Sequence, residues 1–387
     1  MLNYEGDAKA TRHIPSEVTR ELWVLAGGRC QFRGCNELLY KSPVTQERVN
    51  RAQKAHVYSF SPDGPRGRGP YAKKTKGLNS TKNLLLVCHG CHQTIDRDQF
   101  GKKYSAELLL SWKADHEARI VLVTGVAPKR RSHVVFYRSR IGEHDAHIDT
   151  DDAFSALFPM WHPADDKPID LSMTCEHEDN KRSFWENETA HLRAIFERKV
   201  AQLAADGHAT HFSVFALGDI PLLVFLGSLF TSQTAVETYQ LKKEPQTWHR
   251  RDDAPRGFRF TLNRPHNSRG EPALVLSCSG RVDHAGLGAK LQREFAVWEL
   301  TVPEPHNDFL RTREQLSQFR RAARAAIEQI RQTHGRVPLH IFPAVPVSCA
   351  VELGRVRMPK LDAPWNLYDY NQKLQGFTYA LTIGENL

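Results

Sequence analysis

The spacing of apolar and polar positions divides this 387-residue chain into two stretches of different rhythm. Val18, Leu22 and Leu25 recur on one helical face. Pro15 supplies a first helical position, Glu17 and Glu21 follow in the opening turns, and Gly27-Gly28 close the segment, so the pattern predicts a short amphipathic helix. Residues 61–70 (SPDGPRGRGP) hold too many Gly and Pro for helix or strand and predict a basic loop. An apolar run at 84–87 predicts a short strand entering CHGCH, followed by a helix to residue 98. A further amphipathic helix is predicted over 105–122, with Leu108, Leu109, Trp112 and Ile120 on its apolar face.

Beyond residue 131 the rhythm changes. Strand patterns at 133–137, 169–174, 211–217, 236–241, 273–278, 295–302, 339–342 and 365–370 alternate with helical ones, clearest over 180–205 and 308–333. That alternation predicts an α/β domain with a mainly parallel sheet. The most apolar stretch, 212–230, is nearly long enough to cross a bilayer, but Asp219 and Pro221 interrupt it. It predicts a buried strand, a turn and a helix, and no membrane association. A weak repeat runs through this region. His211-Phe-Ser, Pro221, Leu226-Gly227 and Tyr239 are echoed by His340-Ile-Phe, Pro346, Leu353-Gly354 and Tyr368, and VVFYRSR by ALVLSCSGR. A duplicated βαβ unit explains the echo; coincidence within a generic α/β fold is the reading it leaves open.

Composition alters this picture little, and charge alters it more. With 40% hydrophobic and 25% charged residues the chain is ordinary globular material, which excludes general disorder. The net charge of +9 is unevenly placed: residues 1–131 carry 23 Lys and Arg against 12 Asp and Glu, and the remainder carries 30 against 32. A basic N-terminal third points to a phosphate backbone as partner, with a solvated surface as the bland alternative. In and after the basic loop, Arg66, Arg68, Lys73, Lys74 and Lys76 are the candidate DNA contacts. The shift in composition at 125–131 sets the expected domains at 1–128 and 129–387. The opening MLNYEGDAKATRH holds no apolar core of an export signal, so a cytoplasmic location is expected.

Four of the seven cysteines form two close pairs, Cys30-QFRG-Cys35 and Cys88-HG-Cys91. Tetrahedral Zn²⁺ takes four soft ligands, and two short spacings let each knuckle donate two thiolates, so a structural zinc site is expected. Alongside stand His56 in KAHVYSF, Asn83 at the start of NLLLVC, and His92 with Asp96 one helical turn apart. Imidazole with carboxylate suits a harder ion, Mg²⁺ or Mn²⁺, which keeps waters and accepts phosphate oxygens. His56 would then deprotonate a water for attack on phosphorus. Each histidine alone reads as structural; the set beside a Cys₄ site in a basic domain reads as catalytic.

These residues, Cx₄C, AH and NLLLVCHGCHxxID, resemble the HNH endonuclease family over about residues 14–120. The resemblance implies an α+β domain of the ββα-metal fold stabilised by zinc, with His56 as general base, Asn83 bracing the loop and His92 binding the catalytic metal. Many members carry Asp or His immediately before the base. Ala55 stands there in this chain, and Asp96 is the candidate replacement; His89 is read as an exposed bystander.

The second domain shows no nucleophile set, P-loop or dinucleotide fingerprint. Polar loops follow its two equivalent strands instead, with Arg138, Ser139 and Arg140 in one and Ser277, Ser279 and Arg281 in the other. Ligands of open α/β sheets sit at such strand ends, so the pair could clamp a small, roughly two-fold phosphorylated ligand. Lys242 could meet a phosphate. Tyr239, Trp248, Trp365 and Tyr368 could stack on bases, with core packing as the alternative for each. HFSVF…P…LG and LHIFPAVP…LGR…WNLYDYN resemble a SAVED domain over about residues 130–387, which implies two fused CARF-like, Rossmann-like units that sense cyclic oligonucleotides. The order HNH then SAVED is similar to effector nucleases of bacterial CBASS anti-phage systems. It implies a cGAMP-like cyclic dinucleotide activator, a homo-oligomer (a dimer, of higher order on activation) and degradation of double-stranded DNA. The alternatives are a modification-dependent restriction HNH endonuclease and a non-catalytic, ligand-controlled zinc DNA-binding protein.

Overall fold

The protein is described from a computed structural model covering residues 11–384, apart from 74, 76, 142–143, 146, 173–181, 231–233, 252, 254, 256, 285–286, 288–290 and 372–373. Two compact units result, Met1–Ala127 and Pro128–Leu387.

The first unit comprises α1 (Ser16–Leu25), β1 (Ala52–His56), β2 (Leu84–Cys88), α2 (His89–Asp96) and α3 (Ala106–Thr124). β1 and β2 pair antiparallel, with Ala52 opposite Cys88 and His56 opposite Leu84. Every position of β2 is buried, because α1, α2 and α3 contribute Leu22, Ile95 and Leu109 to one core around it. A strand covered on both faces has no polar positions to alternate with, hence the unbroken LLLV. The passage from β2 into α2 falls on Cys88, whose extended backbone ends the strand and whose sulfur accepts from the Cys91 amide. The 61–70 loop turns through Arg66 and Gly67 at positive φ.

Among the described residues the second unit holds two larger sheets and two two-stranded hairpins. In the first, β3 (Arg131–Arg138), β4 (His211–Leu217) and β5 (Ala235–Tyr239) are parallel neighbours, and short strands His162–Pro163 and Ile169–Asp170 also pair with β3. The second holds β6 (Glu271–Ser277), β7 (Phe295–Thr301), β8 (Leu339–Ala344), β9 (Trp365–Asn371) and β10 (Gly376–Ile383). Its order is Thr261–Asn263, β7, β6, β8, β9, β10, parallel inside and antiparallel at both edges. The mainly parallel expectation holds for the inner pairs, and the antiparallel pairs lie at the edges, where β10 returns along β9 as a hairpin. Of the strand expected at 169–174 only Ile169–Asp170 is seen, and residues 173–174 lie outside the described residues. The longer helices of the frame are α4 (Arg182–Phe196), α5 (Ile220–Leu229), α6 (Arg313–His334) and α7 (Val347–Arg355). The long helix expected over 180–205 passes through a π turn at Glu197–Ala201, and α6 opens on a capping box of Thr312 and Gln315.

The echo in sequence is an echo in space. β3, β4, α5 and β5 correspond in order and pairing to β6, β8, α7 and β9. Val135, Tyr137, Leu274 and Leu276 point into one core shared by both halves, whereas Val134, Phe136, Ala273 and Val275 point into separate cores on the far faces. α5 and α7 cross within the shared core at their glycines. A Cβ on Gly227 would lie 1.9 Å from the Val351 carbonyl oxygen, and one on Gly354 would lie 1.9 Å from that of Val224. The reciprocity marks a pseudo-two-fold axis at this crossing. Alanine at either position gains about 1 kcal/mol of helix propensity, but overpacking against backbone costs about 1–3 kcal/mol or more. Gly354→Ala is therefore expected to lower the melting temperature of the second unit by several degrees, whereas Gly280→Ala, with no atom within 4 Å of its new Cβ, leaves it unchanged. Thermal unfolding by circular dichroism makes the comparison, and equal melting points would contradict the close crossing.

Candidate functional site

Cys30, Cys35, Cys88 and Cys91 bring their sulfurs within 4.8 Å of one another, with Cys35 and Cys88 3.9 Å apart. A disulfide holds its sulfurs about 2.05 Å apart, whereas the edge of a ZnS₄ tetrahedron is about 3.8 Å, so the separation fits a metal. The sulfurs also collect backbone donors, from Cys88 N to Cys30 Sγ at 3.3 Å and from Cys91 N to Cys88 Sγ at 3.5 Å. Burial pushes the Cys30 thiol up to about 12 and raises that of Cys91 as well. Without a cation these sulfurs stay protonated; a divalent ion supplies the charge that thiolates need there. The donor set fits Zn²⁺.

His56 ends β1 and is half-buried. Its Nε2 lies 2.9 Å from Asn79 Oδ1, and Asn79 Nδ2 donates to the carbonyls of Thr11 (2.7 Å) and His13 (3.0 Å). With its amide nitrogen committed, Asn79 presents its oxygen to His56, which places the imidazole hydrogen on Nε2 and leaves Nδ1 basic. Burial holds His56 below the usual histidine range; the Asn79 bond opposes this, while His92 and Arg12 add to it and Asp96 opposes it. On α2, His92 Nδ1 lies 3.1 Å from Asp96 Oδ2, and His89 is exposed. Among the described residues only the four cysteines gather three or more metal-ligating groups. A hard divalent ion at His92 and Asp96 would thus draw its other ligands from water and phosphate, as Mg²⁺ commonly does. Asn83 is buried, donating to Tyr58 O (3.1 Å) and Leu78 O (2.9 Å) and accepting from Tyr58 N (2.9 Å), so it ties the segment after β1 to the one before β2.

The basic loop corrects one expectation. Arg66 directs its guanidinium inward, donating to the carbonyls of Val57 (2.6 Å), His56 (3.4 Å) and Tyr104 (3.4 Å). Three of its five N–H donors go to backbone carbonyls, so Arg66 supports the His56 segment instead of standing free for DNA. Arg68 donates to Phe60 O at 3.2 Å, and Lys73 is exposed. Lys74 and Lys76 lie outside the described residues. Asn79 carried no signal in the sequence, since an Asn in a polar loop reads as a turn former.

In the second unit, the loop after β3 meets the start of α5, and the loop after β6 meets the end of β8. Ser139 is buried, and its Oγ accepts from Asp219 N (2.9 Å) and donates to Asp219 Oδ2 (3.2 Å). Arg138 is bound to Asp170 (2.7 Å) and Ser172 (3.1 Å); the side chain of Arg140 is outside those described. The amides of Cys278 and Ser279 donate to Ala344 O, Ser277 Oγ accepts from Val282 N, and Arg281 is exposed. The four aromatics are a correction. Trp248 and Trp365 are each 1% exposed; Tyr239 stacks on Phe215 at 4.3 Å and Tyr368 on Phe342 at 4.4 Å. Each ring is buried among core side chains, so these rings offer no face to a base. Lys242 is also buried, and its Nζ has no hydrogen-bond partner among the described residues.

Residues 192–383 match the family model of SAVED, the SMODS-associated and fused to various effectors sensor domain. Among solved structures, the Acinetobacter baumannii Cap4 SAVED/CARF-domain containing receptor with the cyclic trinucleotide 2'3'3'-cAAA is 12% identical with a TM-score of 0.43. The match covers 72% of this chain and 55% of that one. The Moraxella osloensis Cap4 SAVED/CARF-domain containing receptor is 11% identical with a TM-score of 0.40, over 72% of this chain and 57% of that one. This chain thus spans little more than half the length of either. No curated protein matches it.

Proposed function

We propose that this protein is a DNA endonuclease of the HNH type, switched on by a cyclic oligonucleotide and serving anti-phage defence. The observation that carries the reading is the fusion itself. A region matching a sensor-domain family follows a compact basic unit in which the charges of His92 and Asp96 act on His56 beside a Cys₄ cluster.

Nδ1 of His56, kept unprotonated at neutral pH by burial, takes the proton of a water attacking phosphorus. Asn79 holds the ring in that tautomer, and Asn83 and Arg66 fix the backbone from His56 to Tyr58. His92 and Asp96 would hold a Mg²⁺ or Mn²⁺ ion, which supplies charge stabilisation to the scissile phosphate and leaving oxygen. Arg68 and Lys73 remain as DNA-backbone contacts. Ser139 at one strand end and Ser277 and Ser279 at the other frame the ligand crevice, with a cyclic dinucleotide as the first candidate and a homo-oligomer as the active form. No helix among the described residues is long and apolar enough to cross a membrane.

Gating requires the ligand to bind active and inactive states unequally, and a shift from 1:99 to 99:1 needs a preference of about 10⁴-fold. Plasmid degradation with Mg²⁺ across a panel of cyclic di- and trinucleotides is the test. Little cleavage is expected alone, with at least a hundredfold acceleration by one panel member. Equal cleavage with and without every member would remove the gating.

A further inference from the structure

Ahead of α1 the backbone folds tightly against the His56 site. Asn79, the partner of the His56 imidazole, donates through Nδ2 to the carbonyls of Thr11 and His13, the residues on either side of Arg12. The His13 amide donates in turn to Thr11 Oγ1 at 3.1 Å. Hydrogen bonds on both sides therefore fix the backbone around Arg12, and two of them come from the group that orients His56.

The side chain is placed as well. The Arg12 guanidinium carbon lies 5.7 Å from the centre of the Phe60 ring, and the same ring lies 5.9 Å from that of His56. Phe60 is itself held, its carbonyl accepting from Arg68 Nε at 3.2 Å. Cation–π attraction positions a guanidinium without an acceptor atom, so it does not use up the planar fork that binds phosphate oxygens. Arg12 is exposed, hence open to a large polyanion, and its charge acts on His56 together with those of His92 and Asp96. Base, candidate metal-binding pair and guanidinium are thus gathered within electrostatic reach of one imidazole.

We propose that Arg12 is a catalytic residue, clamping a non-bridging oxygen of the scissile DNA phosphate beside His56. The proposal rests on the endonuclease reading and adds a fixed cation of this chain to the phosphate that reading places there. In the step, the water oxygen bonds to phosphorus and its proton passes to His56 Nδ1. The bond to the leaving oxygen breaks, and that oxygen takes a proton from solvent. Arg12 keeps its own proton throughout, as a guanidinium does in proteins, and offsets the charge that gathers on the phosphoryl oxygens during attack. A lysine carries the same charge without the two-pronged fork, so it replaces Arg12 only in part.

The test uses the full chain with Arg12→Gln, which removes the charge at similar length, and Arg12→Lys, which keeps it. A saturating short DNA duplex, with Mg²⁺ and the activating member of the cyclic di- and trinucleotide panel, gives kcat. Gel shifts across a range of salt, without added Mg²⁺, report how many phosphates the protein neutralises. Arg12→Gln is expected to lower kcat about 10²–10³-fold and to reduce the slope of log affinity against log salt by about one. Arg12→Lys is expected to keep that slope and to recover part of the rate. Zinc content and melting temperature should match the wild type in both, because the altered side chain is exposed and outside the core. A lower rate with an unchanged slope would mean that Arg12 acts through the Asn79 contacts and not on phosphate, which overturns the clamp. A smaller slope with an undiminished rate would put Arg12 on a phosphate away from the cut, and overturns it too. If Arg12→Gln matches the wild type in both readouts, the clamp fails and the endonuclease reading stands. A wild type that cleaves no duplex with any panel member removes the endonuclease reading, and the clamp falls with it.

Discussion

His56→Ala is expected to lower DNA cleavage by about 10²–10⁴-fold, the range contributed by a positioned general base. The imidazole ends β1 opposite Leu84, held through Nε2 by an asparagine whose own amide nitrogen is committed to two carbonyls. Truncation removes the basic nitrogen and leaves the antiparallel pair, the core residues Ala55 and Val57 and the four thiols untouched. Zinc content, melting temperature and DNA binding measured by gel shift are therefore expected to match the wild type, and only plasmid degradation in the presence of Mg²⁺ and activator should fall. Because the folded His56 titrates below the usual histidine range, wild-type activity is expected to persist into mildly acidic buffer and to fall only when the ring gains its proton. Undiminished cleavage by His56→Ala would remove the base assignment. Retained DNA binding by a wild type that never cleaves would favour a zinc-dependent DNA-binding regulator instead.

Much of this arrangement was legible in the chain because it rests on local chemistry. Two short Cys spacings, an apolar run and an Asp one turn after His92 each have few structural solutions, and β1, β2 and α2 follow from them. The second unit was legible at the level of its repeat, and the reciprocal approach of Gly227 and Gly354 gives that repeat a physical meaning. Burial was the hidden variable. Trp365 and Tyr368 lie in a strand covered on both faces, so alternation carried no sign of which ring met solvent. Arg66 counts as one positive charge in any composition, yet its guanidinium turns inward to three backbone carbonyls. Asn79 acts through a partner 23 residues away, a separation at which sequence rhythm is silent. The edge strand β10 lay beyond the last expected strand, and its antiparallel return is set by a turn, not by a hydrophobic period.

The second large effect concerns the thiols. Removing zinc with a strong chelator, or replacing Cys88 by Ser, is expected to unfold the first unit. Structural zinc in small domains contributes an apparent 10–16 kcal/mol or so, as large as the whole 5–15 kcal/mol or so by which a typical domain is stable. Cys88 carries two duties at one position, closing β2 and capping α2 through its sulfur, and would supply a zinc ligand as a third. Without the ion, the buried thiols of Cys30 and Cys91 stay neutral and add nothing to hold the two knuckles together. One zinc per chain should be released to a chromogenic chelator, with loss of the helix signal of α1 to α3. The melting of the second unit, which has its own core, should survive. Cys349→Ala provides the contrast, since Cys349 is fully buried in that second core and outside the cluster. That change should lower the second transition and release no metal. A Cys88→Ser protein that keeps its first transition, or a wild type that folds with no bound metal, would show that packing around β2 suffices and that the cluster is not a folding element. Cleavage should vanish together with the zinc, because β1 and α2 present His56 and His92 from the same small core that the ion would close.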